Sequence, residues 1–284
     1  MAVDVVALPR QARVPTLFDA IAWEMSKLAA QTKSRAVLGF CLIAPIAVVL
    51  ILKGQQPPPK DTLFGRYIHE TGLAVPLLML GFATQWILPL LTAVVAGDIF
   101  ASEDHHGTWK TVLTRSTSRA QLFWAKWVTA VGFAIVALVL LTVSTIAGSV
   151  VIIGRHPLIG LSGQVIGSAH AIALVVAAWA TALAPLLGFT CLAIALSVKT
   201  RNPAFGIAAP VVLGLVMQLL GAVAGAEALR PLLLTTAFES WHGLLAQPHF
   251  YGPLTEGLIV CAAWSAITTA WAFWLLRRRD ITEG

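Results

Sequence analysis

Charge is scarce in this chain. Only 11% of its 284 residues are Asp, Glu, Lys or Arg, against about 25% in an average soluble protein, while 58% are hydrophobic and the mean hydropathy is +0.83. A soluble domain of this length needs a charged surface over its core, and these residues cannot supply one, so the solvent for most of the chain is lipid. The net charge of +6 and pI near 9.6 are accounted for by cationic loops that orient membrane segments, leaving no case for a nucleic-acid partner. Cysteine is sparse too. Cys41, Cys191 and Cys261 each lie inside an apolar run; with no CxxC pair and no disulfide framework they read as small buried hydrophobes.

Chemistry-bearing patterns are missing as well. No lysine follows a glycine, which excludes a phosphate loop of the GK[ST] type, and there is no HExxH. Of the seven histidines, His105 and His106 are adjacent, which on a helix points them about 100° apart, unlike an i, i+4 ligand pair. His242 and His249 lack an evident third ligand. The centres of the apolar segments carry no ionisable group, whereas a proton-driven transporter buries at least one carboxylate. His170 near one span end comes closest, Gln85 and Gln218 are merely polar, and Asp98 and Glu70 read as interfacial. The first 34 residues contain Arg10, Arg13, Lys27 and Lys33 but no apolar core of signal-peptide type, so the first hydrophobic run is expected to act as an uncleaved insertion signal.

What is present is a set of six long apolar runs, near 36–52, 72–96, 127–153, 165–198, 204–223 and 254–276. All but the fourth are near the ~20 residues that span a bilayer, and helices are the only form that satisfies its own backbone there without barrel alternation. The expected fold is therefore an all-α integral membrane protein with six transmembrane helices over 35–276, an N-terminal segment 1–34 and a tail 277–284. The fourth run, at roughly 51 Å if fully helical, exceeds the ~30 Å hydrocarbon core and is expected to kink at Pro185 or project; Pro76, Pro89 and Pro210 mark further possible bends. Gly163–Gly167 and Gly221–Gly225 have the spacing that permits close helix contact. Leu17, Ile21, Met25 and Leu28 recur at helical spacing with Asp19, Glu24 and Lys27 on other faces, predicting an amphipathic interfacial helix before the first span. The apolar segment 224–253, with Phe238, Trp241, Phe250 and Tyr251, reads as one or two short interfacial or re-entrant helices. Six spans place 14 of the 19 Lys and Arg residues on the side of both termini, which puts the termini in the cytoplasm and the chain in the cytoplasmic membrane.

One polar island interrupts this pattern: EDHHGTWKTVLTRSTSRAQLFWAK, from Glu103 to Lys126. Gly107 permits a sharp reversal and Thr108 can cap a short helix. Trp109, Val112 and Leu113 would give that helix an apolar face, with Lys110, Arg115 and Arg119 offering charge-assisted contacts. Such a helix suits docking into a protein cleft, or lying on anionic lipid. The island resembles the first cytoplasmic loop of ABC-2-type permeases, the membrane subunits of a class of ABC transporters. The resemblance runs through Glu103, then Gly107 and Thr108, Val112 and Leu113, Ser118 and Arg119, and Lys126 at the start of the third span; the closing FWLLRRRDI is similar too. The chain departs from the pattern at Ser116-Thr117, where the family often has proline, and at His105-His106, where a single polar residue or Arg is usual.

The resemblance implies a type V exporter-like permease fold without catalytic residue, metal or cofactor of its own, and ATP and Mg on a separate ABC ATPase present in two copies. A second copy of the permease, or a related one, would complete the pathway among membrane lipids. The loop 98–126, with Glu103, His105, His106, Gly107, Thr108, Trp109, Lys110, Val112, Leu113, Arg115, Ser118 and Arg119, would couple the two. Uncharged spans suggest an amphipathic or lipid-like cargo such as a drug, antibiotic, peptide or glycolipid, exported rather than imported. The alternatives are an ABC-2-like factor for metalloenzyme assembly, a membrane-embedded lipid-modifying enzyme, and a non-transporting sensor or scaffold.

Overall fold

The computed structural model describes residues 16–59, 61–107, 118–225 and 227–278. Helix α1 (Leu17–Ala30) opens on a capping box in which the Thr16 side chain accepts from the Asp19 amide and the Asp19 carboxylate accepts from the Thr16 amide. After a one-residue break at Gln31, α2 (Thr32–Gly54) follows. Then come α3 (Ala74–Phe82), a π turn (Ala83–Ile87) and α4 (Leu88–Ala96), end to end. The short α5 (Ala101–His105) and the 34-residue α6 (Arg119–Ile152) are next. A small antiparallel hairpin, β1 (Leu158–Ile159) with β2 (Val165–Ile166), pairs Leu158 with Ile166. The chain continues through α7 (Ser168–Thr181), α8 (Leu183–Thr200) and α9 (Pro203–Ala222), the short α10 (Leu234–Ala237) between two 3-10 turns, and α11 (Gly252–Arg277).

Among the described residues five helical stretches are long and apolar enough to cross a membrane: α2, α6, α7–α8, α9 and α11. The second expected span is helical from Ala74 to Ala96 but divided by the π turn, so neither half has that length alone. The division has a local cause. Pro89 has no N–H for the carbonyl of residue 85, and its ring crowds that oxygen; the ladder widens so that the Leu88 amide reaches the Ala83 carbonyl. The long fourth run is likewise broken, at Ala182, because Pro185 can neither bond nor clear the carbonyl of Thr181. The turn from α8 to α9 is made by Arg201 in the left-handed region (φ +56), with Asn202 capping α9.

Three boundaries differ from expectation. Residues 165–166 are strand, so the fourth helical run starts at Ser168. The third run starts at Arg119, eight residues before Trp127, because Ser118 and Gln121 form a second capping box. Segment 224–253 does contain short helices, but Phe238 and Trp241 are buried and belong to the main core. Phe238 stacks on Phe189 of α8 at 6.0 Å, because the segment folds back onto α8 and α11 and is held by the hairpin, whose Leu161 amide and Gln164 side chain both donate to the Leu245 carbonyl. Phe250 and Tyr251 remain exposed.

Candidate functional site

Charged residues gather at the end of the bundle where α1, α5 and the start of α6 meet. Lys126, in the second turn of α6, is fully buried. Its ammonium lies 3.0 Å from Glu103 Oε1 on α5 and 2.9 Å from Glu24 Oε1 on α1. The first contact is an aligned hydrogen bond; the second is an ion contact, since Glu24 Oε1 has no hydrogen-bonding partner of good geometry. Glu103 also accepts from Lys27 of α1, and Asp98 accepts from Lys33 of α2. Three carboxylates thus face three ammonium groups, and the cluster is neutral. Such balance is what lets charges leave water, because an isolated ion in the interior costs several kcal/mol that only a close counter-charge offsets. The void between these residues is about 10 Å³, too small for any cargo.

The same corner is tied by uncharged contacts. The side-chain oxygen of Ser197 on α8 accepts the amides of Phe100 and Ala101, at 3.2 and 3.0 Å. These are donors at the start of α5 that the helix cannot satisfy by itself. Phe100 packs on Phe123, and Phe123 on Phe273 of α11. Gly97 and Gly206 meet backbone to backbone: a Cβ on Gly206 would lie 2.0 Å from the Gly97 carbonyl oxygen, and one on Gly97 2.2 Å from that of Gly206. Arg119 donates to the Arg277 carbonyl at the end of α11, a favourable place for a cation. Five other helices therefore grip the short stretch from Gly97 to Glu103.

Of the residues singled out in the sequence, the structure brings Glu103 into the cluster and places Ser118 and Arg119 at the head of α6. His105 ends α5, and His106 folds back so that its ring nitrogen lies 2.7 Å from the Ser102 carbonyl. Gly107 has φ +63, the left-handed region. Thr108, Trp109, Lys110, Val112, Leu113 and Arg115 lie outside the described residues.

Sequence reading missed Glu24, Lys27, Lys33 and Ser197 as members of this site, and gave Asp98 and Lys126 only as the ends of the loop, without their ion pairs. It set Glu24 and Lys27 on the polar faces of α1 and read Asp98 as interfacial. The structure turns Ala20 and Glu24 inward and leaves Leu17, Phe18, Trp23 and Met25 exposed, because the buried Lys126 takes a second counter-charge, beside Glu103, from this face of α1. A lysine directly preceding a long apolar run was the signal available. The paired glycines 163/167 and 221/225 make no close helix contact; the close approach falls at Gly97 and Gly206.

This arrangement ties an amphipathic helix, a short loop helix and the third apolar run into one unit, inside a chain of long lipid-compatible helices. A family model described as ABC-2 family transporter protein matches residues 20–220, a stretch that holds the whole cluster. The chain belongs to the ABC-2 family. It is a multi-pass membrane protein with the role of a transporter permease, and permeases of this family generally pair with a separate ABC ATPase. A search of the curated proteins finds no match.

Removing the Ser197 hydroxyl is expected to loosen α5 selectively. Ser197→Ala leaves two buried amides without an acceptor, at about 1–3 kcal/mol, and should raise hydrogen exchange at residues 100–105 while exchange in α6 stays unchanged. Uniform exchange across both would refute the anchoring role.

Proposed function

We propose that this chain is the permease subunit of an ATP-driven exporter, coupled to separate ATPase subunits through the loop 98–126, with that loop and both termini in the cytoplasm. Two permease chains, identical or related, would enclose the path, and the helix from Ala74 to Ala96 would serve as the second of six spans. The supporting observation is the grip on α5. Glu103 is held by Lys27 and Lys126, and the preceding amides by Ser197, so a push on the loop is transmitted at once to α1, α6 and α8. A rigid unit of this kind passes on motion that a solvated loop would absorb. The exposed Phe18 and Met25 of α1 suit the inner leaflet, so α1 would ride on the membrane surface as the unit moves. ATP and Mg belong to the partner; the chain's part is to receive force and rearrange its helices around an amphipathic or lipid-like cargo.

Co-expression with candidate ABC ATPase subunits from the same genome tests this. The tagged chain should retain the ATPase through purification. Gly107→Pro, which forces φ away from +63, and Glu103→Arg should each reduce cargo-stimulated ATP hydrolysis by about tenfold or more, an energy that one lost charge-assisted contact can account for, while both variants still insert into the membrane. A chain that never brings down an ATPase, or normal stimulated rates in both variants, would sink the reading.

A further inference from the structure

The far end of the bundle carries a second feature, unconnected with the ion cluster. A cleft of about 230 Å³ opens between the middle of the Ala74–Ala96 segment, the loop at residues 62–64 and the turn at 239–242. One wall is Leu78, Gly81 and Phe82, directly before the π turn; the other holds Phe64 and Trp241, whose ring centroids are 6.1 Å apart. Glu239, exposed to solvent, and half-buried His242 line it as well.

Three properties define what fits. The walls are mostly apolar, and the exposed Phe82 and Leu63 extend the apolar surface outward, so a hydrocarbon chain can lie there. The charge is one-sided: Glu239 is acidic, and among the described residues no Lys or Arg lines the cleft. Burial pushes the His242 imidazole below its ordinary value of 6.5, with Glu239 acting the other way, so the histidine adds no cation at neutral pH. Finally, Gly81 keeps the wall low. Among the described residues a Cβ there would meet nothing within 4 Å, so no described neighbour uses the space, although glycine in a helix costs about 1 kcal/mol relative to alanine.

We infer that this cleft binds an amphiphile carrying a protonated amine or ammonium, its cation against Glu239 and its chain along Leu78, Gly81 and Phe82. As a statement about cargo this rests on the permease reading; as a statement about binding it does not, because it is tested on the purified chain alone without ATPase.

The probe is dodecylamine bearing a photoactivatable diazirine in its chain, with the matching dodecanol as neutral control, applied to the full chain in phosphatidylcholine nanodiscs. Cross-linked peptides are mapped by mass spectrometry. The ammonium probe should label residues 62–64, 77–84 and 239–242 saturably. Glu239→Gln should raise its half-saturating concentration about tenfold, the loss of one charge-assisted contact, and leave the alcohol unaffected. Gly81→Leu, which fills the cleft, should remove labelling by both probes, whereas Gly81→Ala should retain it. Competition by added phosphatidylethanolamine supports the site with a lipid headgroup as its ammonium; no competition supports it with a single-chain amphiphile. Unchanged half-saturation in Glu239→Gln, or wild-type labelling of Gly81→Leu in protein that elutes as the wild type does, would overturn it.

Discussion

Lys126→Met is expected to be among the most damaging single substitutions outside the loop tip. It removes the ammonium that sits within 3.0 Å of two carboxylates and leaves Glu24 and Glu103 buried, with Lys27 as the remaining cation beside Glu103. Deleting one member of a buried pair costs about 3–5 kcal/mol, because the other charge is left uncompensated in a poor solvent. The apolar stem of methionine fills most of the lysine's volume, so the loss is electrostatic and not a cavity effect. Thermal unfolding of the purified chain in detergent measures it. The companion variant Glu24→Gln/Lys126→Met removes one charge of each sign and should recover much of the loss; the double-mutant cycle gives the coupling. If the double variant loses as much as Glu24→Gln and Lys126→Met alone added together, the Glu24–Lys126 contact carries nothing. Transport should be lost in the single variant even where it remains folded, since α1 and α5 then no longer move with α6.

Gly206→Ala is expected to force α4 and α9 apart. The added methyl would lie 2.0 Å from a backbone carbonyl oxygen, and ordinary contact begins at 3.4 Å. No flexible side chain stands between the two backbones, so the helices must give way. Overpacking of this kind costs about 1–3 kcal/mol, more than the roughly 1 kcal/mol that alanine gains over glycine in a helix. Gly81→Ala is the internal control: it makes the same chemical change in open space and should be neutral or stabilising. If both alanine variants unfold at the wild-type temperature, the Gly97–Gly206 approach is not a constraint. If only Gly206→Ala falls, the end of α4 that leads into α5 is pinned by backbone contact, and its activity defect should follow the stability defect.

The membrane character, the main helical runs, the proline breaks and the polar island were all legible before the structure. Each depends on residues close together in sequence: an apolar window of bilayer length, a proline facing its own carbonyl four residues back, a glycine placed for reversal. The site was legible only in part. Glu103 lies in the island, but its partners Lys27 and Lys126 lie on two other helices, and the acceptor for the amides before it, Ser197, on a third. Lys27 is 76 residues away in sequence, and Ser197 is 97 residues from the amide of Phe100 that it accepts. Helical periodicity on α1 marked an apolar face for the membrane but did not show that Glu24 on the opposite side is buried, because periodicity weighs hydrophobicity alone and cannot register a buried cation on α6. Phe238 and Trp241 were misplaced for a related reason: interfacial water and a packed core both accept aromatic rings, and only the folding back of segment 224–253 decides between them.

By itself, then, the sequence determined the solvent, the main helical runs and the family. Transfer to lipid is summed residue by residue over local windows, and such sums need no knowledge of distant neighbours. Which charges are buried, which glycines touch and where a cleft opens were decided by the tertiary structure alone. Those are pairwise energies, steep over a few ångströms, between groups brought together only when the helices pack.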